Sequence, residues 1–132
     1  MRPAMACLAL LLFAGCGNPR TDALPAGRAA EYLDGIAKAR SDECRTTYAL
    51  ILDCREAAVP VVLKALDLYA DPAQAPRPKT LILNGAIWAC KLNPAEARPA
   101  VVEIMRKASA HPNPDISSCA KTWLQADEKA AK

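Results

Sequence analysis

The sequence is poor in the residues from which most catalytic and ligand-binding sites are built. Its 132 residues include one histidine, five glycines and 5% aromatic residues. The histidine, His111, lies between Ala110 and Pro112 in a predicted turn, where we expect a surface residue and neither a base nor a metal ligand. No glycine-rich phosphate loop and no closely spaced pair of zinc-ligating cysteines occurs. We therefore expect no enzymatic activity, no cofactor and no metal site.

Charge is also nearly balanced, with 17 basic and 14 acidic residues and a net charge of +3. Acidic and basic residues are interspersed along the chain, and no basic block is present. Nucleic-acid binding normally needs a concentrated basic surface, so we expect no nucleic-acid partner. The scarcity of aromatic residues also excludes an extended stacking platform for bases.

The first residues have the composition of an export signal. Arg2 is followed by an apolar stretch that ends in the small residues Ala14 and Gly15. A basic start, about a dozen apolar residues and a small-residue end are typical of secretory signals. The stretch is shorter than the roughly 20 residues that a membrane-spanning helix needs.

The end of this stretch, Leu12 to Cys16, resembles the bacterial lipobox, although Phe13 stands where leucine is usual. The resemblance implies that Cys16 takes a diacylglycerol group and that residues 1–15 are cleaved from it. With Gly17 in the next position, it also implies sorting to the outer membrane, in an organism that has one. The alternative is an ordinary signal peptide cleaved near Ala14.

The remaining chain is long enough for one domain. Residues 16–27 are polar and contain two prolines, so we expect a lipidated flexible tether with a reach of roughly 35 Å. Residues 28–130 are predicted to form a helical domain.

Helical periodicity runs through this domain, and every short apolar run falls inside it, so the fold is predicted to be all-α. The predicted helices begin near residues 28, 42, 58, 79, 94 and 114. Asn93 and Asn113 are expected to cap the last two, and residues 127–132 to fray. Gly85, inside a helix, is expected to allow close approach of a neighbouring helix.

Two of these segments match each other. Residues 59–66 resemble residues 98–105, and Pro60 and Pro99 are 39 residues apart. Paired helices with this period resemble HEAT-like repeats, which implies a short stack of antiparallel helical hairpins. The alternative is a small helical bundle without a true repeat.

Four cysteines remain in the domain: Cys44, Cys54, Cys90 and Cys119. An even number in an exported chain favours disulfides. Cys54 and Cys90 each end a helix that precedes one of the matching segments, so this pair is the predicted disulfide. Cys44 and Cys119 would form a second pair or remain free, and four buried free thiols are the alternative.

These features predict a membrane-anchored envelope lipoprotein whose domain is a non-catalytic interaction module for another envelope protein. Its surface is expected to include charged residues of two helices, and Trp88 and Trp123 are expected to fill the core. The candidate surface residues are Lys64, Asp67, Arg98, Glu103, Arg106 and Lys107. The alternative function is a periplasmic carrier of a lipid or other small ligand, with an apolar cavity between the helices.

Overall fold

A computed structural model describes residues 26–38, 43–70 and 80–132 of the chain. Every regular element in these ranges is helical, as predicted, and no strand occurs in them. The elements are α1 (Ala26–Ala37), α2 (Glu43–Cys54), a 3-10 helix (Arg55–Ala58), α3 (Val59–Ala70), α4 (Leu81–Leu92), α5 (Pro94–Ala108) and α6 (Pro114–Ala130). Because α1 begins at Ala26, two residues assigned to the tether belong to the domain. The predicted signal, Cys16 and the rest of the tether lie outside the described residues.

The helix boundaries follow local backbone chemistry. At the start of α6, the Asn113 side-chain oxygen accepts a hydrogen bond from the backbone N–H of Asp115 at 3.0 Å, which confirms this predicted cap. Helix α2 ends at Cys54, and the next residue, Arg55, adopts a positive φ of 52°. The predicted fraying after residue 127 is wrong. Asp127 is held by an ion pair with Arg98 of α5, and α6 continues to Ala130.

The helices form two rows that enclose the core. Helices α2, α4 and α6 follow one another in the first row, and α1, α3 and α5 in the second, with α5 packed against both α4 and α6. Each row therefore covers the apolar side of the other. The side chains that are fully buried include Ile51, Leu66, Ile82, Ile104 and Ile116. Each contributes about 1.5–3 kcal/mol relative to an exposed position.

Burial repeats at the 39-residue spacing seen in the sequence. The 3-10 helix and α3 correspond to α5, and three pairs of matching positions in the two segments are equally inaccessible. Ala58 and Ala97, Val62 and Val101, and Leu66 and Met105 are all 0% exposed. Pro60 and Pro99 are both exposed, Pro60 in the first turn of α3 and Pro99 inside α5. This pattern fits a short solenoid, while the likeness to HEAT repeats stays a prediction.

Helices α2 and α4 run parallel, as neighbouring helices of a stack do. Tyr48 of α2 stacks on Trp88 of α4, and farther along the same direction Arg55 pairs with Glu96. Near the start of both helices, Gly85 lies against the backbone of Cys44, as the mid-helix glycine predicted. All three contacts join residues about 40 positions apart, and the two between α2 and α4 fix the register of these helices.

The two ends of the stack are polar. The outer side of α1 exposes Arg28, Glu31 and Asp34, and Lys38 is exposed directly after this helix. The outer side of α6 exposes Ser118, Lys121, Thr122 and Gln125. Terminal helices with a polar outer face cap a helical stack and keep it from adding further units. The ends are therefore poor candidates for an apolar contact.

Candidate interaction surface

The apolar exposure of the domain is concentrated on the outer side of α2 and α4. Among the described residues, Trp88 and Leu92 are the exposed large hydrophobic side chains, at 39% and 54%. They are four residues apart on α4 and therefore share a face. The Trp88 ring packs on half-buried Tyr48, with centroids 4.6 Å apart and planes tilted by 30°. We call Tyr48, Trp88 and Leu92 the aromatic face.

Asn93 fixes the tyrosine of this face. Its side-chain amide donates a hydrogen bond to the Tyr48 hydroxyl at 3.1 Å, so the phenol cannot swing away without losing a partner. Asn93 precedes α5 as predicted, but its side chain makes no capping hydrogen bond with that helix. The expectation of a side-chain cap at Asn93 is therefore wrong, because its side-chain amide bonds to Tyr48 of α2 and makes no bond to the start of α5.

The exposure of Trp88 corrects the expectation that both tryptophans fill the core. Helix α4 reads LILNGAIWACKL, with very few polar residues to mark its outer side. The period of such a sequence does not show which apolar side chain faces solvent. Trp123 of α6 is partly buried against the core, closer to the expectation.

The structure places the predicted charged surface on α3 and α5, but most of its charges are paired within the chain. Arg98 contacts both carboxylate oxygens of Asp127, at 2.7 and 3.3 Å, and Lys107 lies 3.1 Å from Glu103. Lys64 and Arg106 are exposed and have no ion pair with any described residue. Paired surface charges stabilise little and leave few groups for a partner, so this surface is a weaker candidate than the aromatic face.

His111 is not the surface residue that the sequence predicted. Its side chain is 8% exposed, and Nε2 lies 3.2 Å from the Asp67 carboxylate of α3. Its Nδ1 accepts a hydrogen bond from the backbone N–H of Asn113 at 3.0 Å, so the neutral ring carries its proton on Nε2 and donates it to Asp67. The imidazole thus joins α3 to the turn between α5 and α6.

All four cysteines of the domain are free thiols in this structure, with Cys54 and Cys90 buried and Cys44 and Cys119 half-buried. Helix α2 ends at Cys54, whereas α4 continues two residues past Cys90. The predicted Cys54–Cys90 disulfide, and a second pair between Cys44 and Cys119, remain predictions.

Burial raises the pKa of each of the four thiols above its ordinary value. The charged neighbours differ: Arg28 and Asp53 act on Cys54, while Asp127 and Arg98 act on Cys90. A raised pKa keeps a thiol protonated and therefore a poor nucleophile at neutral pH. These side chains act as small hydrophobic groups in this fold.

A cleft of about 380 Å³ lies between α1 and α2. It is lined by the charged residues Arg28, Glu31, Glu43 and Arg45, and by Tyr32, Gly35, Ile36, Thr46, Ala49 and Leu50. Tyr32, Ile36 and Leu50 are already buried. The Arg28 guanidinium donates a hydrogen bond to the Asp53 carboxylate. This hydrogen bond raises the pKa of Arg28 and holds its positive charge at the edge of the cleft.

Within residues 26–38, 43–70 and 80–132, no group of three metal-ligating side chains comes together. No helix in the same ranges has the length and apolar character needed to cross a bilayer. Comparison with known proteins found no match to a family model, a curated protein or a solved structure.

Proposed function

We propose that this chain is an exported lipoprotein of the cell envelope whose helical domain is a non-catalytic interaction module. The lipid on Cys16 would hold the domain at a membrane, on the periplasmic face of the outer membrane in a Gram-negative organism. The aromatic face would contact a second envelope protein.

The observation that carries the proposal is the exposure of Trp88 and Leu92 beside a tyrosine held in place by Asn93. Tryptophan and tyrosine contribute most of the binding energy in many protein interfaces. Because the Tyr48–Trp88 pair is already ordered, little side-chain entropy is lost when a partner binds. The polar ends of the stack leave this face as its main apolar surface in the described residues.

Two measurements test the proposal. Intact-mass analysis of protein extracted from membranes reports the cleavage point, the lipid on Cys16 and, before and after reduction, the number of disulfides. A photo-crosslinker placed at Asn84, which is exposed on α4 one turn before Trp88, reports what the aromatic face touches in cells. We expect one defined adduct that Trp88→Ala removes and Lys121→Ala leaves unchanged. A mature chain that begins at Met1 and lacks lipid would contradict the anchoring.

The cleft between α1 and α2 favours a second candidate, a carrier of a small ligand. Its volume lies within the range of small-molecule sites. Because charged residues line this cleft, it suits a polar ligand better than the lipid expected for an apolar cavity. Native mass spectrometry of the purified chain would show a bound molecule of constant mass, and Tyr32→Phe or Arg45→Ala would weaken its retention.

A further inference from the structure

Two cations flank the aromatic face. Arg45 precedes Tyr48 by three residues on α2, and Lys91 lies between Trp88 and Leu92 on α4. Residues three or four apart on a helix are surface neighbours, so each cation shares a face with a member of the patch. Both side chains are exposed, and in the described part of the chain neither has an ion-pair partner.

The acids nearest in sequence to the two cations are buried or already engaged, and Glu43, two residues before Arg45, is 2% exposed. Asp53, near the end of α2, pairs with Arg28 of α1, and Glu96, in the first turn of α5, pairs with Arg55. Glu56 is exposed, but it lies on the 3-10 helix beyond the end of α2. On the α4 side, the aromatic face therefore presents apolar side chains beside Lys91, a cation without an ion-pair partner among the described residues, while Arg45 also lines the cleft between α1 and α2 with Glu31 and Glu43.

We propose that the aromatic face takes an acidic segment of a partner protein, whose apolar side chain covers Trp88 and Leu92 and whose carboxylates reach Arg45 and Lys91. This inference rests on the proposed interaction function and names the chemistry of the partner. Complementary charges at the rim of an apolar contact direct the encounter and disfavour partners of the wrong charge.

A protein segment suits this surface better than a lipid bilayer. Tyr48 is half-buried and held by Asn93, so Trp88 and Leu92 are the only strongly exposed large apolar side chains in the described part of the chain. Helices that lie in a membrane interface insert a continuous apolar stripe along their length. On α4 the stripe is short, because Asn84 and Lys91 are also exposed.

The test uses the lipidated full chain in nanodiscs of neutral phosphatidylcholine and two fluorescent synthetic peptides. Both peptides carry the same pair of leucines, flanked by glutamates in one and by lysines in the other. We expect the glutamate peptide to bind at least about tenfold more tightly at low salt, and this preference to shrink at high salt. Trp88→Ala and Leu92→Ala should each weaken binding, while Arg45→Gln and Lys91→Gln should reduce the preference for glutamate. Lys121→Gln on α6 is the matched control and should change neither.

Circular dichroism of each variant separates lost binding from lost folding, and Lys91→Gln alters only an exposed side chain. If both peptides bind equally well and Trp88→Ala weakens both, the inference of an acidic partner is overturned, while the proposed interaction function still stands. Binding that Trp88→Ala and Leu92→Ala do not change, in folded variants, would contradict both. If neither peptide binds, but the chain binds phosphatidylglycerol vesicles and Trp88→Ala abolishes that binding, the inference is overturned in favour of a membrane surface.

Discussion

Gly85 of α4 lies against the backbone of Cys44 in α2, so closely that a Cβ at position 85 would be 2.4 Å from the Cys44 carbonyl oxygen. It would also lie 2.8 Å from the Thr47 Cβ. Both distances are far shorter than a real contact, and the first atom belongs to a helix backbone that cannot turn away. The close spacing of α2 and α4, on which the aromatic face depends, therefore requires a residue without a Cβ at position 85.

We expect Gly85→Ala to destabilise the domain although alanine is the better helix former. The propensity gain of about 1 kcal/mol is outweighed by the overlap, which should leave a net loss of roughly 1–3 kcal/mol in urea unfolding. Gly27→Ala is the matched control, because nothing lies within 4 Å of the added Cβ and the residue is exposed in α1. It should be neutral or stabilising by up to about 1 kcal/mol. Equal effects of the two substitutions would refute the close approach.

Much of this fold could be predicted from local sequence, whereas the candidate site could not. Helix positions, the Asn113 cap and the close approach at Gly85 follow from backbone chemistry and apolar spacing, which act over a few residues. The partners of Asn93 and His111 depend on packing between helices. Asn93 finds Tyr48 45 residues away, and His111 finds Asp67 44 residues away. The exposure of Trp88 could not be predicted for another reason. The sequence of α4 is almost wholly apolar, so its pattern does not indicate which side of the helix faces solvent.

Tyr32 predicts how stability depends on pH in the alkaline range. Its hydroxyl is buried and hydrogen-bonded to the Thr47 hydroxyl at 2.8 Å, and burial raises its pKa to about 12. In the unfolded chain this phenol ionises near pH 10. Above that pH the unfolded state loses a proton that the folded state keeps, so the stabilisation is complete below pH 10 and is lost as the pH rises through about 12.

We therefore expect wild-type stability to fall between pH 10 and 12 by about 2–3 kcal/mol more than that of Tyr32→Phe. The variant should be less stable by about 1 kcal/mol at neutral pH, because Thr47 loses its partner. Every other ionisable group is common to both proteins, so the difference between their urea-unfolding curves isolates Tyr32. Curves that remain parallel from pH 8 to pH 12 would show that this phenol ionises alike in both states.

The asparagines before α5 and α6 should respond differently to substitution. Asn113→Ala removes the side-chain acceptor of the Asp115 N–H and should destabilise the domain by about 1 kcal/mol. Asn93→Ala removes no cap but frees Tyr48, so it should change the near-ultraviolet circular dichroism of the Tyr48–Trp88 pair. Asn84→Ala, on the exposed side of α4, is the control and should be neutral or slightly stabilising. A near-ultraviolet spectrum unchanged by Asn93→Ala would argue against the Asn93–Tyr48 contact.

The thiols give a last prediction, because their burial governs both reactivity and pairing. With every thiol pKa raised, iodoacetamide at neutral pH should modify the native chain much more slowly than free cysteine. Half-buried Cys44 and Cys119 should react before buried Cys54 and Cys90. Alkylation in urea without reductant then counts the thiols of the domain. Four would refute the predicted disulfides in the natural protein, whereas two, with a peptide map joining Cys54 to Cys90, would establish that pair.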